Sequence, residues 1–249
     1  MATVANNRSR VCESGQKLLH SACSQCTLGQ LCFPHALPAF YQMLLPMASE
    51  QRLRLKRGGF LFSTRDPQNG IYAVKAGFLK TCIHLADGQY KIVGFHAMGD
   101  VMGLAGLGNG KHTTDAIALS DCEVCVIPLD KFESLLEHNS ESVYVRQLLA
   151  REIVRNERHA AEVSALSAKQ LVARFLLDMS ARWEGRGYSK NKFVLFMSRK
   201  EIGSFLGLTF ETVGRTLSYF QSREWISADG KNVLILDMPA LQIQLARAT

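Results

Sequence analysis

The chain has no run of apolar residues approaching the roughly 18 that a bilayer-spanning helix needs. Its opening, MATVANNRSRVCESGQ, lacks the apolar stretch of a secretory signal. A soluble, cytoplasmic protein without a membrane partner is the expectation. No glycine-rich nucleotide-binding fingerprint and no catalytic-triad pattern stand out, which argues against an enzyme. A reducing cytosol excludes a disulfide framework as the use of the seven cysteines. Disorder is excluded by composition: 47% of the 249 residues are hydrophobic, enough for one large domain or two modest ones.

Charge is present but uneven. The formal net charge is +7, and residues 167–249 hold 12 Lys and Arg against 7 Asp and Glu. A basic last third suits docking of an acidic polymer, although a solvated basic surface would have the same composition.

Three cysteines, Cys23, Cys26 and Cys32, fall within ten residues, a density that points to metal or redox chemistry. Iron–sulfur clusters are held by thiolates, often three close in sequence and one remote. A tetrahedral zinc site takes the same donors, so spacing alone leaves both open. Cys82 sits in an apolar strand and reads as a core residue, and Cys12 lies in an aperiodic start.

The chain divides into four stretches. Residues 1–38 read as a flexible start carrying the cysteine loop, and a short helical stretch is expected over 39–54. From Lys56 to Pro128, the runs FLF, IYAV, FLKTCIHL, YKIVGFH, AIAL and EVCVIP alternate with Gly, Asn and Asp turns. That spacing predicts an antiparallel sandwich or jelly roll within 39–138. Over 139–166 a long helix carries Leu149, Ile153, Asn156, Ala160 and Val163 at steps of three and four. This is a coiled-coil seam for a homodimer, or else the face of a helix packed on its own domain. Polar Asn156 and small Ala160 weaken the seam, as a regulated dimer would require. The last stretch, 167–249, starts with a helix over 169–183 and a strand over 193–197.

Ser198-Arg199-Lys200-Glu201 is a capping box that starts a helix ending before Gly207. Thr209 caps a second helix over 210–222. Ile202, Leu206, Leu208 and Val213 lock the pair, Gly203 permits close approach, and Gly207 supplies a positive φ in the turn. Thr216 is the one imperfect position. This is a helix-turn-helix. Glu211 and Arg215, four apart, share one face near the start of the second helix. In a DNA major groove Arg donates to guanine and Glu accepts from cytosine; alternatively the two form an exposed ion pair. Thr212 and Ser218 are candidates for base or phosphate contacts. Residues 225–228 and 233–236 flank an Asp-Gly turn as a hairpin, making a winged helix with Lys231 at its tip to meet a phosphate.

Cys23-x2-Cys26-x5-Cys32, GFHAMGDVMGLAGLGNGKH, EVCVIP and IGSFLGLTFETVGR together resemble the CRP/FNR superfamily, most closely its FNR-type oxygen regulators. The resemblance runs from Cys23 to about Leu236. It implies an α+β chain with an N-terminal β-sandwich sensory domain like a cyclic-nucleotide-binding domain, a long dimerisation helix and a C-terminal winged helix-turn-helix. It further implies a [4Fe–4S] cluster on Cys23, Cys26, Cys32 and Cys125, the last in the Cys-x-Ile-Pro position of the family. Cys122, three residues earlier, should face the other side of the strand. In such regulators the intact cluster favours the DNA-binding dimer, and oxygen destroys it. Double-stranded DNA bearing an inverted repeat with a TGA-like core, and RNA polymerase, are the implied partners, with the loop 86–90 a candidate for the latter or a plain turn. A zinc or thiol sensor, or a small-ligand sensor of the same fold, remains the alternative.

The sequence departs from the family in three places. The cyclic-nucleotide branch carries an Arg-Ser or Arg-Thr pair for the phosphate where this chain has His112, Thr113 and Thr114 and no arginine, so no cyclic nucleotide is expected. Glu211-Thr212-Val213-Gly214-Arg215 lacks the serine of the FNR branch at 214, and Phe210 replaces the arginine of the CRP branch. Asn156 stands where FNR relatives often have an acid.

Overall fold

The structure is a computed structural model that describes residues 51–86, 88–137 and 139–246. Its first part is a sandwich of two antiparallel four-stranded sheets. One runs β1 (Gln51–Leu55), β8 (Cys122–Pro128), β3 (Gly70–Ala76), β6 (Val101–Met102). The other runs β2 (Phe60–Phe62), β7 (Asp115–Ala118), β4 (Phe78–His84), β5 (Tyr90–Ala97). Leu55, Phe62, Val74, Leu79 and Val124 fill the space between them. Residues 51–54, expected to end a helix, are instead strand: QRLRL alternates with period two, burying Leu55 and pairing with β8. The rest of that expected helix lies outside the described residues.

Two helices follow, α1 (Leu129–Glu137) and α2 (Asn139–Ala165), the second 27 residues long. They pack on the outer face of the first sheet, where Ile71, Val101, Ile127, Phe132 and Val145 form a cluster joined by Leu149. Next come α3 (Ala168–Glu184), β9 (Lys192–Val194), α4 (Arg199–Leu206) and α5 (Phe210–Ser222). The hairpin β10 (Ile226–Asp229) and β11 (Asn232–Ile235) joins β9 in the order β10-β11-β9 as the wing. A final helix, α6 (Met238–Ala246), begins at Asp237, whose carboxylate accepts from Ala240 N at 2.9 Å, and packs on α3. No sequence signal beyond the wing marks this helix. No helix among the described residues is long and apolar enough to cross a membrane.

The outer face of β4 and β5 is not left to solvent. Phe78, Ile92 and Phe95 join Phe175, Leu176, Leu206 and Phe220 in one apolar core. Phe95 meets Phe205 with ring centroids 5.1 Å apart, and Ile92 N donates to Ser204 Oγ at 3.0 Å. Lys80 Nζ lies 2.8 Å from Glu201 Oε1, with both side chains largely buried. Burial alone would raise the Glu201 pKa. The Lys80 and Ser198 hydrogen bonds outweigh it and hold the carboxyl below the usual carboxylate range. The sandwich therefore seats directly on the first helix of the helix-turn-helix.

Candidate nucleic-acid interface and cysteine site

The helix-turn-helix is built as its residues dictate. Ser198 Oγ accepts from Glu201 N, and Glu201 Oε2 accepts from Ser198 N at 2.7 Å, so the capping box is closed. Such a cap contributes about 1 kcal/mol. Gly207 ends α4 in the left-handed conformation at φ 69°. A Cβ on Gly203 would fall 2.6 Å from Leu208 O, so only glycine lets the turn approach α4 this closely. Thr209 caps α5 by accepting from Thr212 N at 3.2 Å. Val213, Leu217 and Phe220 are buried, and α5 is locked against α4 and α3. The out-of-pattern Thr216 is accommodated because its hydroxyl donates to Thr212 O at 2.8 Å, four residues back.

What α5 leaves outside is Phe210, Glu211, Arg215 and Ser218, with Thr212 half-buried. Glu211 and Arg215 are not paired with each other; Arg215 Nη2 instead donates to Thr212 Oγ1 at 3.3 Å. The carboxylate and guanidinium thus stand side by side on one exposed face, each with hydrogen-bonding capacity to spare. Lys231 is exposed at the wing tip and donates to Phe196 O at 3.2 Å. Three cations not singled out from the sequence border the helix. Arg199 Nη1 lies 3.6 Å from where a Cβ of Gly214 would stand, and Lys169 Nζ sits 3.8 Å over the Tyr219 ring. Arg223 approaches the same ring at 5.5 Å. The capping box could have flagged Arg199, since its middle residues occupy the first turn of α4.

Cys125 is the one proposed cluster ligand among the described residues; Cys23, Cys26 and Cys32 lie outside them. Alternation along β8 separates the two neighbouring thiols. Cys122 turns into the sandwich, where its thiol donates to Ser120 O at 3.2 Å and Phe78 O at 3.3 Å, and burial pushes its pKa up. Cys125 turns to the outer face, buried against Ala73 and Met98. Its partners across the ladder are Arg52 on β1 and Ala73 on β3. Ile127, two residues on, shares that face and packs under α1 and α2. Cys82 is buried in the core between the sandwich and the C-terminal helices, its pKa raised by burial and by Asp115.

Along the expected dimer row, Leu149 and Val163 pack on their own chain. Asn156 and Ala160 between them are exposed, and Ile153 is 57% exposed beside Val154 at 60%. At the loop expected to meet RNA polymerase, Leu85 N donates to Gln89 O at 2.7 Å. His112, in the stretch where an Arg-Ser or Arg-Thr pair would mark a cyclic-nucleotide site, is buried and stacked 3.8 Å from Phe62.

Comparison with known proteins agrees with this geometry. Residues 52–139 match the cyclic nucleotide-binding domain family and residues 170–243 the Crp-like helix-turn-helix domain family. The chain is 40% identical to the transcriptional regulatory protein btr of Bordetella pertussis over 88% of this chain and 91% of that one. It is 37% identical to the transcriptional activator protein anr of Pseudomonas aeruginosa, over 86% and 88%. With the fumarate and nitrate reduction regulatory protein of Shigella dysenteriae it shares 33% identity over 95% and 94%. Among solved structures it is similar to FixK2 from Bradyrhizobium japonicum, with TM-score 0.73 and 27% identity over 80% of this chain and 98% of that one.

Proposed function

The chain belongs to the CRP/FNR family of DNA-binding transcription regulators, and we propose that it is an oxygen-responsive member whose DNA binding depends on a [4Fe–4S] cluster. The observation that carries the DNA-binding part is the face of α5. Its back is buried while Glu211, Arg215 and Ser218 stand exposed in a row. Arg215 would donate to guanine and Glu211 accept from the cytosine amino group, reading a TGA-like core. Thr209, Thr212, Ser218 and Lys231 would add base or phosphate contacts, with Arg199 alongside. The exposed middle of α2, around Ile153, Asn156 and Ala160, is the surface offered to a second copy. A two-fold dimer sets its recognition helices about 34 Å apart, which calls for an inverted repeat. The loop 86–90 would be the surface offered to RNA polymerase.

The sensor part rests on Cys125. Its side chain lies on the outer face of the sheet, buried beside Ala73 and under Met98, and a soft thiolate is the donor that iron–sulfur clusters take. Cys122 does not fit, because its thiol is enclosed between the sheets. Cys23, Cys26, Cys32 and Cys125 would hold the cluster, which would supply an oxygen-labile tie between the N-terminal segment and β8. The chain's own part is then to pass the state of β8 onward. Ile127, Val145 and Leu149 link the Cys125 face to the long helix. The testing experiment is iron and sulfide analysis with operator binding for anaerobically prepared Cys23→Ala, Cys125→Ala and Cys82→Ala. The first two should lose cluster and binding and the third should keep both; equal loss in all three would refute the ligand set.

A further inference from the structure

Residues 97–100 form the turn from β5 to β6, and the C-terminal domain grips it. Asp100 accepts from Arg186 Nη2 at 2.9 Å and also from Arg182 Nη2. Arg182 Nη1 donates to Phe95 O at 3.0 Å, and Arg186 Nε donates to Met98 O. One largely buried carboxylate thus holds two guanidiniums of α3. On the sandwich side Asp100 closes the turn by accepting from Ala97 N at 2.9 Å. The turn is stitched to β3 by Gly99 N to Val74 O at 2.8 Å and Val74 N to Asp100 O at 2.9 Å.

The residue in the middle of this turn is Met98. Its carbonyl is held by Arg186, while its side chain packs against Ala73 and Cys125. A cavity of about 150 Å³ adjoins it, lined also by Gly77, Met179, Trp183 and Phe196. A flexible thioether with a wall on one side and a void on the other can change rotamer when the wall changes.

We propose that the turn is a latch: Met98 senses whether Cys125 is ligated, and Asp100 transmits that state to Arg182 and Arg186. Cluster occupancy then sets how firmly the DNA-binding domain is seated on its own sandwich, within one protomer and apart from the dimer helix. The latch rests on Cys125 being a cluster ligand. With the cluster bound, the wall behind Met98 is fixed and the turn stays closed. When the cluster is lost, Met98 shifts, its carbonyl leaves Arg186, and Asp100 loosens its hold on both arginines.

The test is hydrogen exchange on the full-length protein, cluster-loaded and cluster-stripped, with iron content measured in each sample. Stripping the wild type should speed exchange at Ala97, Gly99 and Asp100 by about tenfold, the scale of a local opening. In Met98→Ala the iron content should be unchanged and the turn should exchange alike in both forms, while amides near Ile153 still respond to stripping. Met98→Leu should restore the response. Full iron in Cys125→Ser would overturn the ligand assignment and the latch with it. Iron lost in Cys125→Ser, with no change in turn exchange on stripping the wild type, would overturn the latch alone. A turn response in Met98→Ala equal to that of the wild type would also overturn it.

Discussion

Replacing Gly203 with alanine should loosen the helix-turn-helix, whereas the same change at Gly214, one helix later, should tighten it. Both glycines lie inside helices, where alanine is favoured by about 0.5–1 kcal/mol. Their surroundings set the sign. At Gly203 the added methyl would stand 2.6 Å from Leu208 O, 3.3 Å from Thr209 C and 3.4 Å from Leu208 C. These are backbone atoms of the turn, which cannot swing aside as a side-chain tip would. Overpacking costs about 1–3 kcal/mol, so the net loss is up to about 2.5 kcal/mol. At Gly214 the nearest atom is Arg199 Nη1 at 3.6 Å, an ordinary contact, and the backbone gain survives. For a chain of this size each kcal/mol moves Tm by about 2–4 °C. Thermal unfolding followed by circular dichroism should show Gly203→Ala several degrees below the wild type, with weaker operator binding, and Gly214→Ala slightly above. A Gly203→Ala protein that melts at or above the wild type would refute the reasoning.

Arg215→Ala should cost about 1–3 kcal/mol of discrimination at one base pair of each half-site; unchanged specificity in a salt-controlled titration would remove Arg215 from the readout. His96 is pushed down from 6.5 to about 3 by burial, with Arg155 adding to it. The unfolded chain therefore takes up this proton first, so the stability is intact above pH 6.5 and drains away as pH falls toward 3. Between pH 7 and 5 this one group should remove about 2 kcal/mol, and urea midpoints for His96→Asn should lack that slope. Equal slopes in the two proteins would contradict it. Asn156→Asp should weaken the dimer by about three- to tenfold through like-charge repulsion across the seam. Unchanged sedimentation would mean that the seam does not pass through residue 156.

The parts legible in the sequence were those governed by local rules. The capping box, the left-handed Gly207, the Thr209 cap and the wing turn announce themselves within a few residues. Strand period put Cys125 and Cys122 on opposite faces, and the family resemblance chose between them. The start of β1 was misread because four residues of QRLRL are too short to tell a strand from a helix end. Helix α6 escaped because MPALQIQLA has no charged face and gives no amphipathic signal. The seating of the two domains was invisible for a different reason. Lys80 with Glu201, Phe95 with Phe205, and Asp100 with Arg182 and Arg186 are each separated by more than 80 residues, and no local pattern says that they meet.

The most direct test of the central claim is anaerobic purification with an absorption spectrum, iron and sulfide analysis and an operator-binding assay, repeated after exposure to air. The protein should be brown, carry about four irons per chain, bleach in air and release its operator. A colourless protein holding zinc or no metal, and binding the operator equally in air, would contradict it.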